Sequence, residues 1–144
     1  MKCVFLDIDG VMNSASGKGE RVSDMEVEKL NLLCSLIKET RASGIILTSD
    51  RRLSSIDLKS KKETFLAYGI PFLGVIRDPN PEDVEDNRGK QIMDSLGDDV
   101  ERMVILDDVD DGISSLFFED FVLVNRFYGL NEDVVSRAKD ILGN

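Results

Sequence analysis

Short apolar runs alternate along this chain with stretches whose apolar residues recur at helical spacing, the order expected of a mostly parallel sheet with helices on both faces. Residues 2–7 (Lys2-Cys3-Val4-Phe5-Leu6-Asp7) predict a buried first strand. Ser23 with Glu26 three residues on reads as a capping box, and Val27, Leu30, Leu33, Cys34 and Ile37 continue a helix that Ser43-Gly44 stops. Ile45-Ile46-Leu47 is a second buried strand, residues 53–68 a helix ending at Gly69, and Pro71 to Ile76 a third, weaker strand. Residues 77–87 hold two prolines and five acids and predict an exposed loop. Gly89 to Leu96 predicts a short helix, Met103 to Leu106 a fourth strand, Phe121 to Val124 a fifth, and Asn131 or Glu132 to Leu142 a last helix. No repeat, low-complexity tract or linker interrupts the pattern, so the expectation is one α/β domain over residues 1–144, a three-layer Rossmann-like fold on a five-stranded sheet.

Composition narrows what such a fold can do. A chain of 144 residues is long enough to stand on a hydrophobic core alone. With no histidine there is neither a Ser-His-Asp nor a Cys-His arrangement, so proton transfer at neutral pH falls to carboxylates, Lys, Tyr or bound water. Cys3 lies in an apolar run and Cys34 on an apolar helical stripe, and both read as small buried hydrophobes. A net charge of −10 argues against sequence-independent nucleic-acid binding over a broad face. Asp7 breaks the opening run too early for a signal segment, and no stretch reaches the ~18 apolar residues of a membrane span. The expectation is a cytoplasmic protein without a membrane partner.

Carboxylates gather where such sheets bind ligands, beyond the carboxyl ends of the strands. The first strand delivers Asp7-Ile8-Asp9-Gly10, the second Thr48-Ser49-Asp50, and the fourth Asp107-Asp108-Val109-Asp110-Asp111-Gly112. Each alone has an ordinary explanation as a turn or a helix cap. Together they predict carboxylates that repel one another unless a cation neutralises them, and an all-oxygen set suits Mg²⁺ with a phosphate-bearing substrate. Neither acidic stretch has the spacing of a calcium-binding loop, and no Gly-rich phosphate loop with Lys and Ser or Thr is present.

Phe5-Leu6-Asp7-Ile8-Asp9-Gly10-Val11 resembles the first motif of the HAD (haloacid dehalogenase-like) phosphohydrolase superfamily. Ile46-Leu47-Thr48-Ser49 is similar to the second, Arg88-Gly89-Lys90 lies where the basic third is expected, and Leu106-Asp107-Asp108 is similar to the acidic fourth. With Asn13 and the late Gly129-Leu130-Asn131, the chain resembles the HAD domains of Swiss Army Knife RNA-repair proteins. That subgroup tends to show Ser-Trp-Arg after the second motif, where this chain has Asp50-Arg51-Arg52.

The resemblance implies a HAD-like phosphatase working through an aspartyl-phosphate. In it Asp7 is the nucleophile, Asp9 the general acid and base, Thr48 a hydrogen-bond donor to the phosphoryl group, and Arg88 or Lys90 the neutralising cation, Arg88 being preferred. Asp7, Asp107, Asp108 and the backbone carbonyl of Asp9 would hold Mg²⁺, with Gly10, Ser49 and Arg52 expected around the substrate. Little sequence is available for a cap, Asn13 to Val22 sufficing only for a flap, and a minimal cap suits a phosphate on a nucleic-acid end as well as a small phosphomonoester. Arg51, Arg52, Lys59, Lys61 and Lys62 form the one dense basic run, read here as a solvated helix face. The alternative is a non-catalytic or receiver-like phosphoacceptor domain, which differs in placing its adjacent acidic pair at the first strand. Here that pair comes late.

Overall fold

The computed structural model describes residues 1–48, 54–76 and 79–143. In chain order its elements are β1 (Lys2–Leu6), β2 (Arg21–Val22), β3 (Met25–Glu26), α1 (Val27–Thr40), β4 (Gly44–Thr48), α2 (Ser55–Ala67), β5 (Phe72–Ile76), α3 (Arg88–Ser95), β6 (Arg102–Asp107), α4 (Ile113–Phe117), β7 (Phe121–Leu123) and α5 (Glu132–Leu142). Five strands form one sheet in the order β5-β4-β1-β6-β7, every neighbouring pair parallel. β2 and β3 form a separate antiparallel hairpin. The strand order reverses between β1 and β6, which places the topological switch at the carboxyl ends of those two strands.

Central strands buried on both faces read as unbroken apolar runs, and β1 and β6 do. Alternate side chains feed two cores. Val4, Leu6, Ile45, Leu47, Val104 and Leu106 pack with Leu30, Leu33 and Leu36 of α1, Phe65 of α2, and Val134 and Ala138 of α5. Cys3, Phe5, Met103 and Ile105 face the other way, onto Ile92 of α3 and Ile113 and Phe117 of α4. Each fully buried side chain of this size removes about 1.5–3 kcal/mol of unfavourable contact with water. The three layers expected from the apolar pattern are therefore present. Among the described residues no helix is long and apolar enough to cross a membrane.

The entry to α1 differs from expectation. Ser23 and Asp24 both have positive φ, 51° and 59°, and form the tight turn between β2 and β3 in place of a helix cap. A two-residue hairpin loop of this hand needs positive φ at both central positions, which Asp tolerates better than most residues. The helix starts at Val27, with Glu26 as its first flanking residue and no side-chain cap. Glu26 turns inward instead, accepting from Ser14 Oγ at 3.1 Å and pairing with the equally buried Lys29 at 3.1 Å. The helix ends at Thr40, where Arg41 adopts a left-handed conformation, before the predicted Ser43-Gly44 stop. The capping box lies at α2, where Ser54 and Asp57 satisfy each other's backbone N–H.

The basic run is not uniformly a solvated face. Lys61 is buried and donates to Ser23 O at 3.1 Å, tying α2 to the hairpin turn, while Lys62 lies over the Phe72 ring at 5.7 Å. Arg51 and Arg52 lie outside the described residues.

Candidate active site

The register of the sheet assembles the site. Leu6 stands opposite Leu47 of β4 and Leu106 of β6, so the next residues, Asp7, Thr48 and Asp107, line up side by side at the carboxyl edge. Alternation continues the row Cys3, Phe5 into Asp7 and the row Met103, Ile105 into Asp107, so these carboxylates project on the α3 and α4 side. Both are buried, as is Thr48, whose Oγ1 has no hydrogen-bond partner among the described residues.

The first turn of α3 supplies the counter-charge. Arg88 Nη1 donates to Asp107 Oδ2 at 2.9 Å and to Asp7 Oδ1 at 3.3 Å, bridging the two carboxylates. Its backbone is gripped from the β6–α4 loop: Arg88 N donates to Asp111 Oδ2 at 3.0 Å, and Gly89 N to Asp111 O at 2.9 Å. Gly89 permits this approach, because a Cβ there would lie 2.2 Å from Gly112 O. Asn87 caps the helix by accepting from Lys90 N at 2.8 Å. The Lys90 side chain is exposed and does not line the cleft, so of the two basic candidates only Arg88 reaches the carboxylates.

A second acidic residue and a second guanidinium complete the rim. Asp108 Oδ2 accepts from Arg126 Nε at 3.2 Å and Nη2 at 3.1 Å. Gly10 (φ 83°) packs so tightly against Asp108 that a Cβ would meet its carboxylate at 2.4 Å. Asp9 is exposed at the mouth, its Oδ1 accepting from Asn13 Nδ2 at 3.2 Å. Asn13 also accepts from Gly10 N at 2.9 Å and donates to Asp24 O at 3.0 Å, which fixes the Asp7–Asn13 loop against the hairpin. The resulting cleft of about 330 Å³ is lined by Asp7, Asp9, Arg88, Asp107, Asp108 and Arg126, with Asp110 and Asp111 at its wall.

Its electrostatics follow from crowding. Burial, reinforced by the neighbouring Asp107 and by contact with Asp108, pushes the Asp7 carboxyl from 3.8 up to about 9, against the opposing pull of Arg88. Burial likewise raises Asp107, although Arg88 and the Val109 N–H work to lower it. At the rim, hydrogen bonds from the Ser114 hydroxyl and backbone N–H lower Asp110. Asp7, Asp107 and Asp108 each offer an oxygen, all within 4.8 Å of one another. This donor set fits a hard divalent cation: the ligands are all oxygen, and buried carboxylates that resist ionisation gain most from added positive charge. The Asp9 carboxylate is not part of that trio.

The structure thus brings together Asp7, Asp9, Gly10, Thr48, Arg88, Asp107 and Asp108, and leaves Lys90 outside. Ser49 and Arg52 lie outside the described residues. Sequence reasoning missed Asn13 as the residue orienting Asp9, Asp111 as the anchor of α3, and Arg126 as the partner of Asp108. Asp111 was visible as one of three acids directly after β6, whereas Arg126 stands in a loop with no motif of its own.

The chain matches the family described as the HAD domain in Swiss Army Knife RNA repair proteins, over residues 3–135. Neither the curated proteins nor the solved structures give a match.

Proposed function

The chain belongs to the family of HAD domains in Swiss Army Knife RNA repair proteins, and from that membership and the geometry of the cleft we propose that it is a Mg²⁺-dependent phosphomonoesterase acting on nucleic-acid ends or small phosphomonoesters. A HAD domain implies a hydrolase of phosphatase type and a phosphorylated substrate, which the carboxylate-lined cleft suits. Asp7 attacks phosphorus in line, forming a P–O bond while the bond to the leaving oxygen breaks, and Asp9 gives that oxygen its proton. Asp9 then takes a proton from water, which attacks the aspartyl-phosphate and releases inorganic phosphate and free Asp7. Thr48, whose buried hydroxyl has no partner among the described residues, donates to a phosphoryl oxygen, and Arg88 neutralises charge on the transferring group. Asp7, Asp107, Asp108 and the Asp9 carbonyl would hold Mg²⁺, which would supply positive charge to keep Asp7 ionised and to offset the charge of the phosphoryl group.

The observation that carries this reading is the alignment of Asp7 between Thr48 and Asp107 at the strand-order reversal, with Arg88 bridging the two carboxylates. The test is hydrolysis of an aryl phosphate with and without Mg²⁺ by the wild type and by Asp7→Asn, with a phosphorylated oligonucleotide as competitor. Metal-dependent turnover that is abolished in the variant is the expected result. A folded protein that binds Mg²⁺ yet turns over neither substrate would overturn the proposal in favour of a non-catalytic or phosphoacceptor domain.

A further inference from the structure

The cleft does not end at the carboxylates. A groove of about 210 Å³ runs from Asp9, Gly10 and Asp108 along Asn13 to Ala15 and Arg126, sharing Asp9, Asp108 and Arg126 with the cleft over Asp7. Backbone hydrogen bonds tie together two of its walls: Ala15 N donates to Arg126 O at 3.2 Å, and on the next rung Ser16 N donates to Phe127 O at 3.0 Å. Phe127 therefore stands one rung beyond the groove, followed by Tyr128.

These two rings are 52% and 57% exposed, edge to face with centroids 5.1 Å apart. The turn that carries them is firmly built. Asn125 Oδ1 accepts from Phe127 N at 2.9 Å, and Asn125 O accepts from Tyr128 N at 3.1 Å and Gly129 N at 2.8 Å. This turn, fixed at several points, leaves about half of each of two adjacent aromatic side chains open to solvent, where aromatics more often bury their faces.

Their position relative to Asp9 says what they would meet. A group that protonates the leaving oxygen lies between the phosphoryl group and the rest of the leaving group. The leaving group therefore extends past Asp9, and the groove is the continuation of the cleft on that side. A sugar in the groove would carry its base past the Ala15–Arg126 wall, toward the turn that bears Phe127 and Tyr128. Every nucleobase offers a π face to an aromatic ring, with little dependence on sequence. The exposed guanidinium of Arg126, held by Asp108, precedes the two rings in the chain and adds a cation to the groove wall. The geometry points to Phe127 and Tyr128 as a stacking platform for the base of a terminal nucleotide whose phosphate lies over Asp7. This rests on the phosphomonoesterase reading above, and names the part of the substrate that the chain grips outside the reacting group.

The test compares the wild type with Phe127→Ala/Tyr128→Ala on four substrates: adenosine monophosphate esterified at the 3′ or at the 5′ oxygen, glycerol phosphate, and hexyl phosphate. Both side chains are exposed, so the double variant is expected to fold, with thermal melting as the check. The expected result is a fall in the kcat/KM preference for adenosine monophosphate over glycerol phosphate of at least about 5-fold, carried by KM, with Tyr128→Phe retaining most of it. An unchanged preference overturns the platform, and so does an equal loss on hexyl phosphate, which would make the rings a general apolar rim. Should the wild type hydrolyse none of the substrates, the catalytic reading fails on its own. Calorimetric binding of the adenosine monophosphates to the wild type and double variant then still decides the platform: equal affinity overturns it, and weakened binding by the variant supports it.

Discussion

Asp7→Asn is expected to stabilise the metal-free protein while abolishing turnover. Burial and the neighbouring carboxylates hold the Asp7 proton until about pH 9, against 3.8 in ordinary surroundings. Between those values the folded protein binds a proton that the unfolded chain has released, so unfolding free energy falls as pH rises through the window. The penalty is absent below the unfolded value and complete above about pH 9. At pH 7 roughly 3 pH units of the window have been crossed, which at ~1.36 kcal/mol each amounts to about 4 kcal/mol. Asparagine is close in shape, stays neutral, and can still accept from Arg88 through its amide oxygen. Urea unfolding in EDTA should therefore give a variant about 4 kcal/mol more stable than the wild type at pH 7, with a gap that narrows toward pH 4.5 and widens toward pH 8.5. Saturating Mg²⁺ should close the gap, because a ligand bound by the native state alone stabilises the wild type by mass action. A variant that is no more stable than the wild type at pH 8 in EDTA, or a gap independent of pH, would refute the account of Asp7 as a carboxyl under electrostatic stress.

Three further outcomes are expected. Arg88→Ala should lower kcat on an aryl phosphate by about 10²–10³-fold, while Lys90→Ala stays within about 2-fold; the reverse pattern would move the cationic role to Lys90. Thr48→Val replaces a buried hydroxyl that has no partner among the described residues, so stability measured in urea should hold or rise by up to about 1 kcal/mol while kcat/KM falls by about 10-fold. Gly89→Ala drives a methyl into the Gly112 backbone carbonyl and should cost about 1–3 kcal/mol in the same assay and depress activity by displacing Arg88.

The parallel sheet was readable because its central strands are buried on both faces and so appear as unbroken apolar runs, from Cys3-Val4-Phe5-Leu6 to Met103-Val104-Ile105-Leu106. The gathering of Asp7, Thr48 and Asp107 was readable for the same reason: strand ends locate side chains without knowledge of the loops. What sequence alone misplaced depends on pairings between distant segments. Ser23-x-x-Glu26 has the form of a capping box, but Glu26 finds Lys29 and Ser14 in the interior, and its preceding residues fold back as a hairpin. Lys61 reads as a surface charge until Ser23 O meets it from another element. Asn13 and Arg126 gain their partners only once the loops that carry them are brought together, and neither loop has regular periodicity.

The charge around the cleft has a consequence for how the site is filled. Six carboxyl groups and two guanidinium groups line it, so its mouth presents a negative field to an approaching phosphate dianion. Such a field slows encounter, and dissolved salt weakens it over distances of about 10 Å. Substrate capture should then quicken with ionic strength when little divalent cation is present, opposite to the behaviour of enzymes that attract their substrates electrostatically. For the proposed reaction the same field would set an order of arrival, cation before phosphate, and the level of free divalent ion would then act as a throttle on turnover.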